Sequence, residues 1–220
     1  MHKDMYSNPN ANRLLFPELQ QTTERLVKSF DSISPARKEL LRQMINFIDA
    51  RVRINRDINL NFICTHNSRR SQVSQVWAQA AAHYYGVRNV YSFSGGTEAT
   101  AFNLRAVNAI RDAGFMISTI KNGVNPVYEV FFAKDAKPIT AFSKTYDDPF
   151  NVNTDFIAIL TCSHADENCP LVPGAIQRVA LTYDDPKEYD STSREAEKYK
   201  ERVEQIGTEI LYAFSRVIRT

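Results

Sequence analysis

The segment DFIAILTC at 155–162 leaves this chain little choice of architecture. Phe156 to Leu160 is apolar at every position, so a strand there must be covered on both faces, as in the middle of a parallel sheet. The flanking segments agree with that demand. INLNFIC (58–64) and NVYSFS (89–94) read as strands, the second closed by Gly95-Gly96. SQVSQVWAQAAAHYY (71–85) and AFNLRAVNAIRDAG (101–114) read as helices, the latter stopped by Gly114. AIQRVALTY (175–183) is a weaker strand. A last helix over about 192–218 carries Tyr199, Val203, Ile206, Ile210, Phe214 and Val217 on one face, with Thr192 and Glu195 placed for a capping box. Strands alternating with helices predict an α/β fold with a doubly wound parallel sheet.

Ahead of this pattern lie two helical segments. One starts near Pro17 and places Leu19, Leu26, Val27 and Phe30 at helical spacing. The other opens with Ser34-Pro35 and carries Leu40, Leu41, Met44, Ile45, Phe47 and Ile48 before a basic end at Arg51, Arg53 and Arg56. The expected organisation is an N-terminal helical extension (1–56) followed by a catalytic domain (57–220). The extension could pack on that domain, form a dimer contact or dock a partner; as a helix-turn-helix DNA binder it carries too little charge. The stretch 125–153, rich in aromatics, Pro and Lys without periodicity, reads as a hairpin or lid-like insertion.

A net charge of +2 on 220 residues demands neither nucleic acid nor an anionic membrane as partner, so any anion specificity must be local. No stretch is long and apolar enough for a membrane span, and the first 21 residues lack a signal-peptide core. With three cysteines a disulfide framework is excluded, and a cytoplasmic location is expected.

One of those cysteines, Cys64, ends the strand 58–64 and precedes a short loop and a helix. The amides of a strand–loop–helix turn of this kind face inward, and the helix N-terminus adds positive potential. Thr65, His66, Asn67, Ser68, Arg69, Arg70 and Ser71 are therefore candidates for binding a tetrahedral oxyanion, with Arg70 gripping two of its oxygens. The same field favours an anionic, nucleophilic sulfur, to which Ser71 can donate. The plainer alternative is a strand-end cysteine that merely packs.

Cys64-x5-Arg70-Ser71 resembles the phosphate-binding loop of the low-molecular-weight protein tyrosine phosphatases. CTHNSRRSQ (64–72) is still more similar to the loop of the thioredoxin-coupled arsenate reductases built on that fold, with Asn67, Ser68 and Gln72 matching. His66 departs from the usual glycine or other small or apolar residue and is expected at the loop surface. Arg69 departs from the usual cysteine or isoleucine and is expected to face solvent. LTCSHADENCPLVP (160–173) resembles the segment that carries the second and third redox cysteines, which makes Cys162 and Cys169 partners of Cys64 in a disulfide relay. Two other readings stay open: both cysteines as strand-end packing, or zinc bound by Cys162, His164 and Cys169, for which a fourth ligand is not evident.

Asp185-Pro186 in TYDDPKEYD (182–190) matches the acid loop of both branches, and Asp185 is expected to protonate the leaving oxygen. A second YDDP (146–149) offers Asp148, but Asp-Pro also marks ordinary turns, and the order along the chain favours Asp185. The resemblance covers about 57–220, interrupted by 125–153. It implies arsenate reduction with thioredoxin as reductant, and by the same analogy leaves room for a bound monovalent cation whose ligands are not evident in this sequence; no cofactor or metal site is assigned. The alternative is hydrolysis of a phosphate ester through a phosphocysteine. For that activity Tyr128, Phe131, Phe132, Tyr146 and Phe150 would either wall an aryl groove or simply pack.

Overall fold

The computed structural model describes residues 14–168 and 171–218. Along the chain run α1 (Pro17–Val27), α2 (Pro35–Arg53), β1 (Ile58–Cys64), α3 (Arg70–Tyr85), β2 (Val90–Gly96), α4 (Leu104–Asp112) and β3 (Met116–Lys121). Then follow β4 (Val127–Phe131), β5 (Ile139–Ala141), β6 (Phe156–Leu160), α5 (Ser163–Asn168), β7 (Ala175–Ala180) and α6 (Glu195–Ser215). Four strands form one all-parallel sheet in the order β2-β1-β6-β7. The apolar run is β6, held between β1 and β7 and buried at all five positions. An α/β fold with a parallel sheet flanked by helices is what the alternation of segments predicts.

Alternate side chains of the central strands feed two different cores. Leu60 and Phe62 of β1 and Ile157 and Ile159 of β6 join a large apolar cluster with Leu19, Leu41, Trp77, Val107 and Ile210, one from each of five helices. Ile63, Ala158 and Leu160 face a smaller cluster completed by Cys64, Cys162, Ala165 and Val172. Helix α3 is covered nearly all round, which its run Ala80, Ala81, Ala82 permits by letting neighbours approach closely. Its partner α6 crosses at Gly207, where an added Cβ would lie 2.7 Å from the Trp77 ring.

Helices α1 and α2 share this large cluster, burying Leu19, Leu26, Leu41, Met44 and Ile48 with β1 and α6. Ser34 caps α2 by accepting from Arg37 N–H at 3.2 Å. Ion pairs Arg37–Glu209 (2.8 Å) and Arg25–Glu204 (2.7 Å) tie both helices to α6.

Several boundaries differ from the sequence expectation for identifiable reasons. The first residues of 101–114 are extended, because Ala101 O and Asn103 N bond Ser68 of the loop, so α4 starts only after its Asn103 cap. Helix α6 starts at Glu195 with Arg194 as its N-cap and no side-chain cap, so the capping box expected of Thr192 and Glu195 does not form; Glu195 instead accepts from Ser191 N at 2.6 Å. The aperiodic region is a three-stranded antiparallel sheet, β3-β4-β5, that begins at Met116, ahead of 125. Most of β3 is exposed, so it lacks the apolar alternation that reveals a strand. After β5 the chain returns to the parallel sheet, where Thr145 bridges Gly96. Among the described residues no helix is long and apolar enough to cross a membrane.

Candidate functional site

The loop between β1 and α3 is held from outside by its carbonyls. Cys64 O accepts from Thr97 N (3.1 Å), Thr65 O from Glu98 N (2.9 Å), and His66 O from the Ser143 hydroxyl (2.8 Å). Asn67 O accepts from Gln72 Nε2 (3.1 Å) and Ser68 O from Asn103 N (2.9 Å). Five consecutive carbonyls turned outward leave the intervening amides to face the concave side, the arrangement that holds an oxyanion. Asn67 makes the turn possible by adopting the left-handed region (φ 46°), which Asn tolerates better than most residues. Gly96 allows β2 to come close enough: a Cβ there would lie 2.5 Å from Thr65 O and 2.8 Å from Asn67 N.

At the base of this loop Cys64 Sγ lies 3.1 Å from Ser71 Oγ and is 3% exposed. The neighbours of that bond hold Ser71 in place. Asn67 Oδ1 accepts from Gln72 Nε2 (3.0 Å) and Lys144 N (3.0 Å), which turns its Nδ2 to donate to Ser71 Oγ at 2.8 Å. The Ser71 oxygen keeps a second lone pair, so either its hydroxyl or the Cys64 thiol can donate across the 3.1 Å contact, and Ser71 is the donor when the sulfur is a thiolate. The site is therefore a buried thiol beside a hydroxyl, at the base of a loop whose carbonyls are bonded away from it.

Arg70 and Asp185 meet above the loop. Arg70 donates to Asp185 Oδ2 (2.7 Å) through one terminal nitrogen and to Tyr183 O (2.9 Å) through the other. Asp148 instead accepts from Phe150 N (2.8 Å) in its own turn. His66 has an exposed ring 4.0 Å from Glu98. Arg69 does not face solvent as the sequence suggested: its side chain is 12% exposed and donates to the Tyr199 hydroxyl at 2.8 Å. Tyr199 in turn donates to Asp190 (2.8 Å), a bond that its place on an apolar helix face concealed.

Cys162 lies at the end of β6, buried in the same small cluster as Cys64. Its sulfur is 3.4 Å from the Thr65 hydroxyl and accepts from Ala165 N at 3.3 Å, because α5 begins directly after it. The step to the third cysteine thus starts as a short helix. Thr65 also lies 3.3 Å from His164 Nδ1, so one hydroxyl of the loop touches both groups. Cys169 lies outside the described residues. No sequence signal marks Thr65 as this contact, or Ser143 and Lys144, far along the chain, as braces of the loop.

Lys144 is itself unusual, being 2% exposed, with Nζ over the Phe142 ring at 4.5 Å and donating to Phe142 O at 3.3 Å. Burial pushes its ammonium down from 10.5 to about 8, with Asp148 opposing the shift. Between those values the unfolded chain holds the proton and the folded one does not, so this residue makes stability rise with pH there. Below that window the buried charge costs about 3 kcal/mol. Lys144→Met is expected to stabilise the protein by up to about that amount near pH 7, with the advantage gone by about pH 10.5. Denaturant titrations of both proteins across this range check it; a constant difference would contradict it.

No family model matches the chain. Among curated proteins, an arsenate reductase of Bacillus licheniformis is 31% identical over 150 residues, covering 68% of this chain and 89% of that protein. One from Brevibacillus brevis is 31% identical over 149 residues, covering 66% and 91%. A solved low-molecular-weight phosphotyrosine phosphatase from Vibrio cholerae O395 superposes with a TM-score of 0.47 at 13% identity, over 70% of this chain and 92% of that one.

Proposed function

The chain belongs to the arsenate reductases of the low-molecular-weight protein tyrosine phosphatase superfamily, and from that premise we propose that it reduces arsenate through a relay of its three cysteines. The observation that carries this reading is the shared position of two thiols. Cys64 sits at the base of the loop between β1 and α3, and Cys162 is buried in the same cluster against Thr65 of that loop. A hydrolase needs only the first of these.

In the first step the Cys64 thiolate attacks arsenic and hydroxide departs, protonated by Asp185 to water. Loop amides and Arg70 hold the remaining oxygens. Cys162 then attacks the Cys64 sulfur. The S–As bond pair goes to arsenic, which leaves as arsenite reduced by two electrons, and a Cys64–Cys162 disulfide forms. Attack of Cys169 on Cys162 releases Cys64 and leaves a Cys162–Cys169 disulfide, which thioredoxin reduces by dithiol exchange.

Phosphate esters fit the same loop, but three of the five aromatic residues named for an aryl groove pack against other rings. Tyr128 packs edge-on to Phe102 (5.7 Å), Phe132 to His83 (5.6 Å) and Phe150 to Phe142 (5.2 Å). Hydrolysis is therefore the lesser activity in this account. Arsenite formation with thioredoxin and its reductase, beside hydrolysis of p-nitrophenyl phosphate, tests the choice. Cys162→Ala is expected to stop arsenite release and to leave any ester hydrolysis in place. Sustained arsenite production by this variant would remove the relay.

A further inference from the structure

Arg70 faces two demands at once. Its two terminal nitrogens hold Asp185 Oδ2 (2.7 Å) and Tyr183 O (2.9 Å), yet gripping a tetrahedral oxyanion uses the same fork. An arriving anion also repels the Asp185 carboxylate. A loop that loses its hold on Asp185 when substrate binds loses its acid when it is needed.

A second guanidinium stands beside this pair. Arg69 Nε lies 3.9 Å from Asp185 Oδ1, the other carboxylate oxygen, which also accepts from Lys187 N at 3.1 Å. Arg69 NH2 lies 3.7 Å from Asp190 Oδ2. Asp185 and Asp190 flank the 3-10 turn Pro186–Tyr189, so Arg69 reaches both ends of the acid loop from the oxyanion loop. Its own position is fixed by the bond from Nε to the Tyr199 hydroxyl. Burial and Asp190 raise that hydroxyl to about 12, so it stays protonated as donor to Asp190. Arg105 completes the support, 2.7 Å from Glu195 and 3.7 Å from Asp190.

We propose that Arg69 is a positioning residue that retains Asp185 over the loop when Arg70 turns to the oxyanion. The idea rests on the oxyanion-binding reading of the loop. Arg69 and Arg70 are adjacent at the start of α3, so the two guanidinium groups approach the two oxygens of one carboxylate. A movement of about 1 Å, in which the single Nε–H turns from the Tyr199 hydroxyl to Asp185 Oδ1, brings Arg69 into hydrogen-bond range of Asp185. A cysteine or isoleucine at position 69 could not do this, so the device is particular to a chain with Arg-Arg at this point.

Arg69→Gln is expected to lower kcat for arsenate by about 10- to 100-fold, with KM changed by less than about threefold. Arg69→Lys, which keeps the charge, recovers part of the loss. In an Asp185→Asn background Arg69→Gln has no further effect, because the group it positions has lost its function. Losses that multiply in the double variant, or an unchanged kcat in Arg69→Gln, would overturn the proposal. A crystal structure of full-length Cys64→Ser with inorganic phosphate supplies a second readout. It is expected to show Arg69 bonded to Asp185 and Arg70 bonded to phosphate; Arg70 still on Asp185 above a bound phosphate contradicts it. Wild-type protein that forms no arsenite sinks the arsenate reading instead, and the phosphate-bound structure then decides the role of Arg69.

Discussion

Replacing Cys64 with serine is expected to lower arsenite formation by about 10⁴-fold or more while leaving oxyanion binding nearly intact. The two effects separate because different atoms cause them. Chemistry needs a polarisable sulfur that bonds arsenic and then accepts a second sulfur, and a hydroxyl does neither at neutral pH. Binding depends on the loop, whose shape is set by carbonyl bonds to Thr97, Glu98, Ser143, Gln72 and Asn103, none of which involves the Cys64 side chain. Serine also keeps a partner for Ser71, which lies 3.1 Å from the sulfur. Arsenite assays and calorimetric titration with phosphate measure the two quantities. Residual arsenite formation within tenfold of wild type would remove Cys64 as nucleophile. Loss of phosphate binding would show that the sulfur shapes the loop.

Deleting residues 1–56 is expected to leave a chain that does not fold. Leu19, Leu26, Phe30, Leu41, Met44, Phe47 and Ile48 are each at most 5% exposed, and all pack in the cluster that contains Leu60, Phe62 and Ile210. At roughly 1.5–3 kcal/mol for each large apolar side chain, their burial contributes on the order of 10–20 kcal/mol. Their loss also exposes the apolar faces of β1 and α6 that they cover. The helices also reach the site: the Arg37 guanidinium lies 4.6 Å over the Tyr183 ring, and the Tyr183 carbonyl holds Arg70. Expression of 57–220 followed by circular dichroism checks this. A soluble, cooperatively melting product would show that the helices are an appendage. Among the roles the sequence left open for them, the expected outcome selects packing.

The parallel sheet was legible because β6 is apolar at every position and because helices separate the strands. The strand–loop–helix turn limits where Arg70 can lie relative to Cys64, while Asp185 was singled out by its resemblance to an acid loop and its order along the chain; the structure brings Arg70 and Asp185 together at 2.7 Å. What the sequence concealed came from contacts between distant segments. Arg69 looks like a surface charge until Tyr199 and Asp190 are brought to it by α6 and the acid loop. Tyr199 fits the apolar period of α6 whether or not its hydroxyl is bonded. Lys144 in an aperiodic stretch gives no sign that it is buried between two phenylalanine rings. Strand β3 was missed because an exposed strand in a small sheet has no apolar face to announce it.

Mapping disulfides shows whether three cysteines pass an oxidation from arsenate to a terminal disulfide. Fully reduced protein is exposed to arsenate, quenched with a thiol-alkylating reagent and digested for mass spectrometry, beside a phosphate-treated control. An arsenate-dependent Cys162–Cys169 bond is expected, absent after phosphate and absent in Cys64→Ser. If all three thiols remain open to alkylation after arsenate, the relay does not exist, and Cys64, Arg70 and Asp185 are left as the site of a hydrolase.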